Sequence, residues 1–248
     1  MPSPNIVVHS QDGPIIININ DQIIGQSILK TGGWERQEIN LIIRIIENQF
    51  KNKEQLIFYD VGANIGTHSL ALAKHFGPKI KIRAFEAQRP IFNMLNGTLA
   101  LNGVLSVITH NVAVSDKGDE TIQIRLPDYT ARNNFGGLEL MAPQLSDNKS
   151  MSLSSSEVIK TVTLDDFDEP VDFIKMDIEG MEDRALRGAT TLFKKNQPLA
   201  FIEILKTDRL FISDFFRSRS YQGFEIGGNL LALPENVQIK FNGARQLF

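Results

Sequence analysis

The chain has 248 residues, 42% of them apolar and 22% charged, which is enough to bury a core and excludes wholesale disorder. A formal net charge of −3 with no basic stripe argues against a grip on phosphate backbones, and the absence of cysteine removes disulfides, thiolate zinc sites and a cysteine nucleophile. No basic start followed by an apolar stretch is present, and the densest apolar segment, residues 41–46, contains Arg44 and is too short to span a bilayer. The expectation is a cytoplasmic protein with neither nucleic acid nor membrane as a partner.

Residues 1–53 are expected to form an N-terminal hairpin and a covering helix. Residues 15–20 and 22–25 read as short strands around an Asn-Asp turn. Ile39, Ile42, Ile43 and Ile46 then fall at i, i+3, i+4 and i+7, with Phe50 one turn later, which predicts an amphipathic helix. From residue 54 to 248 strands and helices alternate: strands over 56–60, 80–86, 104–109, 171–177 and 199–204, helices over 66–76, 90–101 and 181–192. The first two strands are short apolar runs, as in a parallel sheet covered on both faces. This is an α/β, Rossmann-like pattern, with ligand chemistry at the C-terminal edge of the strands. Residues 120–126 alternate like an exposed strand. The polar stretch 127–157, with its serine-rich run, reads as a lid, a binding loop or a disordered segment. Residues 210–216 place aromatics at helical spacing and read as core or an oligomer surface.

The sharpest local signal is Tyr59-Asp60-Val61-Gly62-Ala63-Asn64-Ile65-Gly66, at the end of an apolar strand and the start of a helix. Gly62 permits a tight turn and Gly66 a close approach at the helix start. Glu86 stands twenty residues after Gly66, at the end of the next strand, where a carboxylate can accept from both hydroxyls of a ribose. Asp60 repels a pyrophosphate but suits the cationic end of S-adenosylmethionine, so the electrostatics favour the methyl donor over NAD.

The run from Asp60 to Gly66, Phe85-Glu86 and Asn111-Val112-Ala113-Val114-Ser115-Asp116 resembles the FkbM family of methyltransferases. So do Thr163-Leu164-Asp165-Asp166-Phe167, Ile174-Lys175-Met176-Asp177-Ile178-Glu179-Gly180, Leu186-Arg187-Gly188-Ala189, and Pro198 leading to Ile202-Glu203-Ile204. The resemblance runs from about residue 34 to 234. It departs after the ribose acid, where Ala87-Gln88-Arg89-Pro90 stands in place of the family's Asn and Pro. It implies a class I fold, a seven-stranded mostly parallel sheet with an antiparallel last strand, and methylation of hydroxyls on small molecules or glycans. An NAD-type oxidoreductase and a non-catalytic S-adenosylmethionine-binding module are the rival readings.

On this reading Asp60, Gly62, Ala63, Asn64, Gly66, Glu86, Asn111, Ala113 and Asp177 are the donor-binding candidates, with Asn111 and Ala113 beside the adenine. A hydroxyl acceptor needs a base near the sulfonium, and Asp177, Glu179 and Glu203 at the strand ends are the candidates. Helix-start stabilisation is the competing role for Asp177 and Glu179, whereas Glu203 lies in an apolar strand and is costly unless used or paired. Lys175 is expected to pair with a carboxylate, and His68 to cap a helix or face solvent. Asp165, Asp166 and Asp168 suggest either a divalent ion or an acidic turn. The turn is the simpler account, and no metal ligand is assigned.

Overall fold

The computed structural model describes residues 3–140, 153–239 and 245–248. The chain opens with an antiparallel hairpin, β1 (Asn5–Ser10) and β2 (Gly13–Asn18), closed where Ser10 pairs with Gly13. The hairpin lies earlier than its sequence pattern suggests. The Asn-Asp cluster launches a helix instead: the Asn18 side chain accepts from the Asn20 N–H at 2.9 Å, and Asp21 accepts from the Ile23 N–H at 3.0 Å. Such short polar side chains satisfy local N–H groups at helix starts as readily as in hairpin turns. Helix α1 (Ile24–Thr31) follows, then α2 (Arg36–Gln49). Helix α2 buries Ile39, Ile42, Ile45 and Ile46, so its inward stripe takes Ile45 rather than Ile43. The stripe packs on one face of the main sheet, against Phe58, Ile80 and Phe173 among others.

The sheet begins with β3 (Leu56–Val61), α3 (Thr67–Phe76), β4 (Ile80–Phe85), α4 (Arg89–Leu101) and β5 (Val107–His110). The chain then leaves for a small three-stranded sheet of β6 (Ala113–Val114), β7 (Thr121–Pro127) and β8 (Leu153–Val162), ordered β6-β8-β7. It re-enters the main sheet at β9 (Phe173–Met176), continues through α5 (Glu182–Arg187), α6 (Thr190–Asn196), β10 (Leu199–Glu203) and α7 (Arg209–Arg217), and closes with β11 (Tyr221–Ile226), β12 (Asn229–Pro234) and β13 (Arg245–Gln246). The strand order is β13-β11-β12-β10-β9-β3-β4-β5. Strands β5, β4, β3, β9 and β10 are parallel, and β12 runs antiparallel to β10. The sheet therefore has eight strands rather than seven, the extra one being the two-residue β13. From β3 the chain moves outward to β4 and β5 and then returns to β9 on the other side of β3. That reversal opens a crevice beyond the C-terminal ends of β3 and β9.

Two further expectations change. The helix over 181–192 is broken into α5 and α6 at Gly188, where a Cβ would sit 2.2 Å from the Ser115 carbonyl oxygen. The polar stretch 127–157 is not one loop. Ser155 and Ser156 belong to β8 and pair with Leu126 and Arg125, because a ladder partner matters more to a strand than apolar content. Residues 128–140 fold back with Phe135 and Leu138 buried, and residues 141–152 lie outside the described part. The acidic trio is structural. Asp165 accepts from the Thr191 and Leu192 N–H groups at the start of α6, Asp166 from the Thr163 N–H, and Asp168 pairs with Lys195. No helix among the described residues is long and apolar enough to cross a membrane.

Candidate active site

The crevice at the strand reversal is a cleft whose floor is the turn after β3. Gly62 has φ +82°, and a Cβ there would lie 1.8 Å from the Asp177 carbonyl oxygen. Only glycine allows the ends of β3 and β9 to approach this closely. The Gly62 and Ala63 N–H groups donate to the Phe85 carbonyl oxygen, which ties the turn to the end of β4.

Glu86 follows β4 and is 6% exposed, on the cleft wall. Its two oxygens each accept one backbone N–H, Asn64 at 3.0 Å and Gln88 at 2.8 Å. Burial pushes its carboxyl up to about 7, against the pull of these two bonds. Each oxygen keeps a lone pair, so the group is rigid and still able to accept. Gln88 in turn donates to the Phe135 carbonyl at 2.9 Å and accepts from the Tyr129 hydroxyl at 2.7 Å. Glu86 and the folded-back segment 128–140 are thereby held together. Beyond Glu86, Val112, Ala113 and Leu138 make an apolar wall.

The opposite end is rich in carboxylates. Asp177, Glu179 and Glu203 line it, joined by Glu35 from the segment ahead of α2 and by His68 from the first turn of α3. Glu179 is engaged by the Lys206 ammonium at 2.6 Å, and Lys206 also reaches Glu139 at 2.9 Å. Glu203 is different: its Oε2 is buried without a hydrogen-bond partner. Burial, reinforced by the charges of Asp177, Glu179 and Glu182, raises its carboxyl to about 8. Glu182, to which no sequence signal pointed, accepts from the Ile178 and Gly180 N–H groups and shapes the turn that presents Asp177 and Glu179. Beneath the floor Lys175 is buried, donates to the Gly62 carbonyl at 3.2 Å, and lies 3.6 Å from Asp177 and 4.0 Å from Asp60.

Of the donor-binding candidates, Gly62, Ala63, Asn64, Glu86, Ala113 and Asp177 line the cleft. Three do not. Asp60 is fully buried below it, accepts the Ser69 hydroxyl at 2.6 Å and faces Lys175, so its charge is met from within the protein. Gly66, at φ +93°, makes room for Leu95 of α4, whose methyl would be 2.6 Å from an added Cβ. Asn111 holds the turn after β4 by donating to the Glu86 and Ala87 carbonyls. Gln88 had no role assigned from the sequence. His68, expected to cap a helix or face solvent, is buried on the cleft wall. Trp34-Glu35, readable from the sequence either as an arm over the donor or as a hydrophobic staple ahead of the isoleucine helix, brings Glu35 into the cleft.

The FkbM methyltransferase domain model matches residues 60–223, about two thirds of the chain, including the turn, Glu86, Asp177 and Glu203. The chain belongs to the FkbM methyltransferase family. The FkbM methyltransferase structure from Methylobacillus flagellatus KT superposes with a TM-score of 0.51 at 21% identity, over 72% of this chain and 43% of that one. This FkbM chain therefore spans less than half of that protein, and the likeness establishes a shared Rossmann-like class I fold. The precorrin-6y C5,15-methyltransferase of Geobacter metallireducens GS-15 (TM-score 0.44, 13% identity, 82% of this chain and 89% of that one) is also similar. So is M. jannaschii TYW2 in complex with AdoMet (TM-score 0.44, 13% identity, 94% and 84%). No curated protein matches the chain in sequence.

Proposed function

We propose that the protein is an S-adenosylmethionine-dependent O-methyltransferase acting on a hydroxyl of a small molecule or a glycan. The observation that carries this reading is the pairing, in one cleft, of a preorganised ribose acceptor, Glu86, with an unpartnered carboxylate, Glu203, at the other end. The chemistry of the cleft fits the donor: an apolar wall for adenine at Val112, Ala113 and Leu138, free lone pairs at Glu86 for the ribose diol, and a surplus of carboxylates where positive charge belongs.

The bound donor supplies an electrophilic methyl group. The protein aligns it with the acceptor and excludes water. Glu86 fixes the ribose, and the Gly62–Asn64 turn supports the chain that follows it. Asp177 flanks the place where donor and acceptor meet. Glu203 takes the acceptor's hydroxyl proton at Oε2, and a carboxyl raised to about 8 is well matched to that role near neutral pH. Glu179, already paired with Lys206, sets the local charge instead.

The test uses Glu203→Gln and Asp177→Asn, which keep shape while deleting basicity. Turnover over a panel of hydroxylated acceptors is expected to fall about a hundredfold or more for at least one of them. S-adenosylhomocysteine affinity should stay within a factor of a few. Wild-type turnover in both variants on a true acceptor would refute base catalysis from these strand ends.

A further inference from the structure

The donor carries an amino-acid tail as well as adenosine, and the cleft end beyond Gly62 holds two groups with no assigned partner. Glu35 immediately precedes α2 and has φ +49°, a left-handed backbone that is unusual for a residue with a side chain. That conformation turns its carboxylate into the cleft. The segment is held in this shape from outside: Ser27 donates to the Gly33 carbonyl at 2.9 Å, and Arg36 pairs with Asp12. Facing Glu35 is His68, only 3% exposed, whose Nδ1 is 3.7 Å from a Glu35 oxygen, beyond hydrogen-bonding distance, and whose Nε2 has no partner. Burial, with help from the Lys175 and Arg36 charges, holds the imidazole neutral.

A half-buried carboxylate beside a neutral imidazole makes a pair of hydrogen-bond acceptors, which is the complement of a primary ammonium. We propose that Glu35 and His68 receive the α-ammonium of the donor's amino-acid tail, so that the segment ahead of α2 decides which adenosyl thioethers the cleft holds. The assignment rests on the S-adenosylmethionine reading and deepens it. With the ribose at Glu86, the tail runs past Gly62 toward this end. Trp34, on the same segment, lines the cleft beside Glu35. Glu38 lies within reach of the same spot, but it already accepts from the Asn229 amide at 3.0 Å, and Lys175 adds positive charge beside it. Both features favour a single-charged ammonium over a divalent ion.

The discriminating measurement compares two thioethers by calorimetric titration: S-adenosylhomocysteine, and 5′-methylthioadenosine, which lacks the amino-acid tail. Glu35→Gln is expected to weaken S-adenosylhomocysteine at least tenfold and to leave 5′-methylthioadenosine within twofold. Retained binding of the second ligand shows at once that the variant is folded and that the adenosine end is intact. Equal losses for both ligands, or no loss for either, would overturn the assignment. Manganese binding that Glu35→Gln abolishes, with thioether selectivity unmoved, would also overturn it in favour of a metal site. If neither thioether bound the unaltered protein, the donor reading would fall and this inference with it.

Discussion

Glu86→Gln is the substitution whose consequences the structure specifies most fully. Each oxygen of the Glu86 carboxylate accepts one backbone N–H, from Asn64 and from Gln88. A glutamine amide has only one oxygen, so its nitrogen must oppose one of these donors. One buried N–H then loses its acceptor, at a cost of about 1–3 kcal/mol in stability. Ribose binding loses the charge on the acceptor and one of the two accepting atoms, worth about 1.5–3 kcal/mol, or roughly a 10- to 150-fold weaker dissociation constant. Because both thioethers carry the ribose, S-adenosylhomocysteine and 5′-methylthioadenosine should weaken together, in contrast to the selective loss at Glu35. Calorimetric titration of both ligands, with denaturant unfolding of the empty protein alongside, reads each effect separately. A dissociation constant for S-adenosylhomocysteine unchanged from wild type, in a variant that is measurably destabilised, would leave Glu86 as a turn anchor and refute its assignment to the ribose.

Gly62→Ala combines left-handed strain with a Cβ 1.8 Å from the Asp177 carbonyl oxygen, and a loss of roughly 2–6 kcal/mol is expected from the two effects together. A loss below about 1 kcal/mol in denaturant unfolding would mean that the ends of β3 and β9 are not pressed together as described. Glu35 and Glu86, at about 7, and Glu203, at about 8, all have carboxyls raised by burial above the unfolded value of 4.5. The folded chain thus binds more protons than the unfolded one between these limits, and the stability these groups contribute is full below about 4.5 and lost as pH rises through 7 to 8. S-adenosylhomocysteine needs the ionised forms of Glu35 and Glu86, so its affinity should rise from pH 6 to 8. Thermal melts across this range should show the gap between bound and empty protein widening, and a constant gap would count against the two assignments.

The stretch from Leu56 to Glu86 was legible because its signals are local: two apolar runs, a glycine turn and an acid at the next strand end. The identity of the partner that meets each charge was not. Asp60 read as a receptor for the donor's positive end, yet Lys175, distant in sequence and adjacent in β9, already occupies that role. Trp34-Glu35 could be read as an arm over the donor or as a hydrophobic staple, and the sequence could not choose, because the aim of Glu35 depends on one left-handed backbone angle that no periodicity reports. Polar composition misled in two places. The Asn18 and Asn20 amides donate to the Tyr129 carbonyl and Asp21 accepts from the Ile23 N–H just ahead of a helix, while Ser155 and Ser156 complete a ladder with β7. In both cases polar composition reads as a turn or loop, while the structure depends on where backbone donors and acceptors find partners, and Asn18 and Asp21 are in fact buried.

The charges around the floor also bear on turnover. Lys175 is set among Asp60, Asp177, Glu35 and Glu38, which together hold its ammonium more firmly protonated than usual despite its burial. One cation among four carboxylates leaves the donor end of the cleft negative. In the proposed reaction S-adenosylmethionine brings a sulfonium there, and methyl transfer converts it to a neutral thioether. Two unit charges about 6 Å apart interact by about 3 kcal/mol at an effective dielectric constant near 20. Losing one such partner is therefore a substantial change in the cleft's hold on what remains. Had Asp60 and Asp177 been matched by two buried cations, donor and product would be held alike, and binding would gain nothing that favours departure of the product. Under the function proposed above, incomplete neutralisation by a single lysine favours the charged donor over the neutral product. Burial is the first cause of the raised carboxyls of Glu35 and Glu203, and the neighbouring carboxylate charges add to it, so the pH dependence of binding follows burial and the same uncompensated charge together.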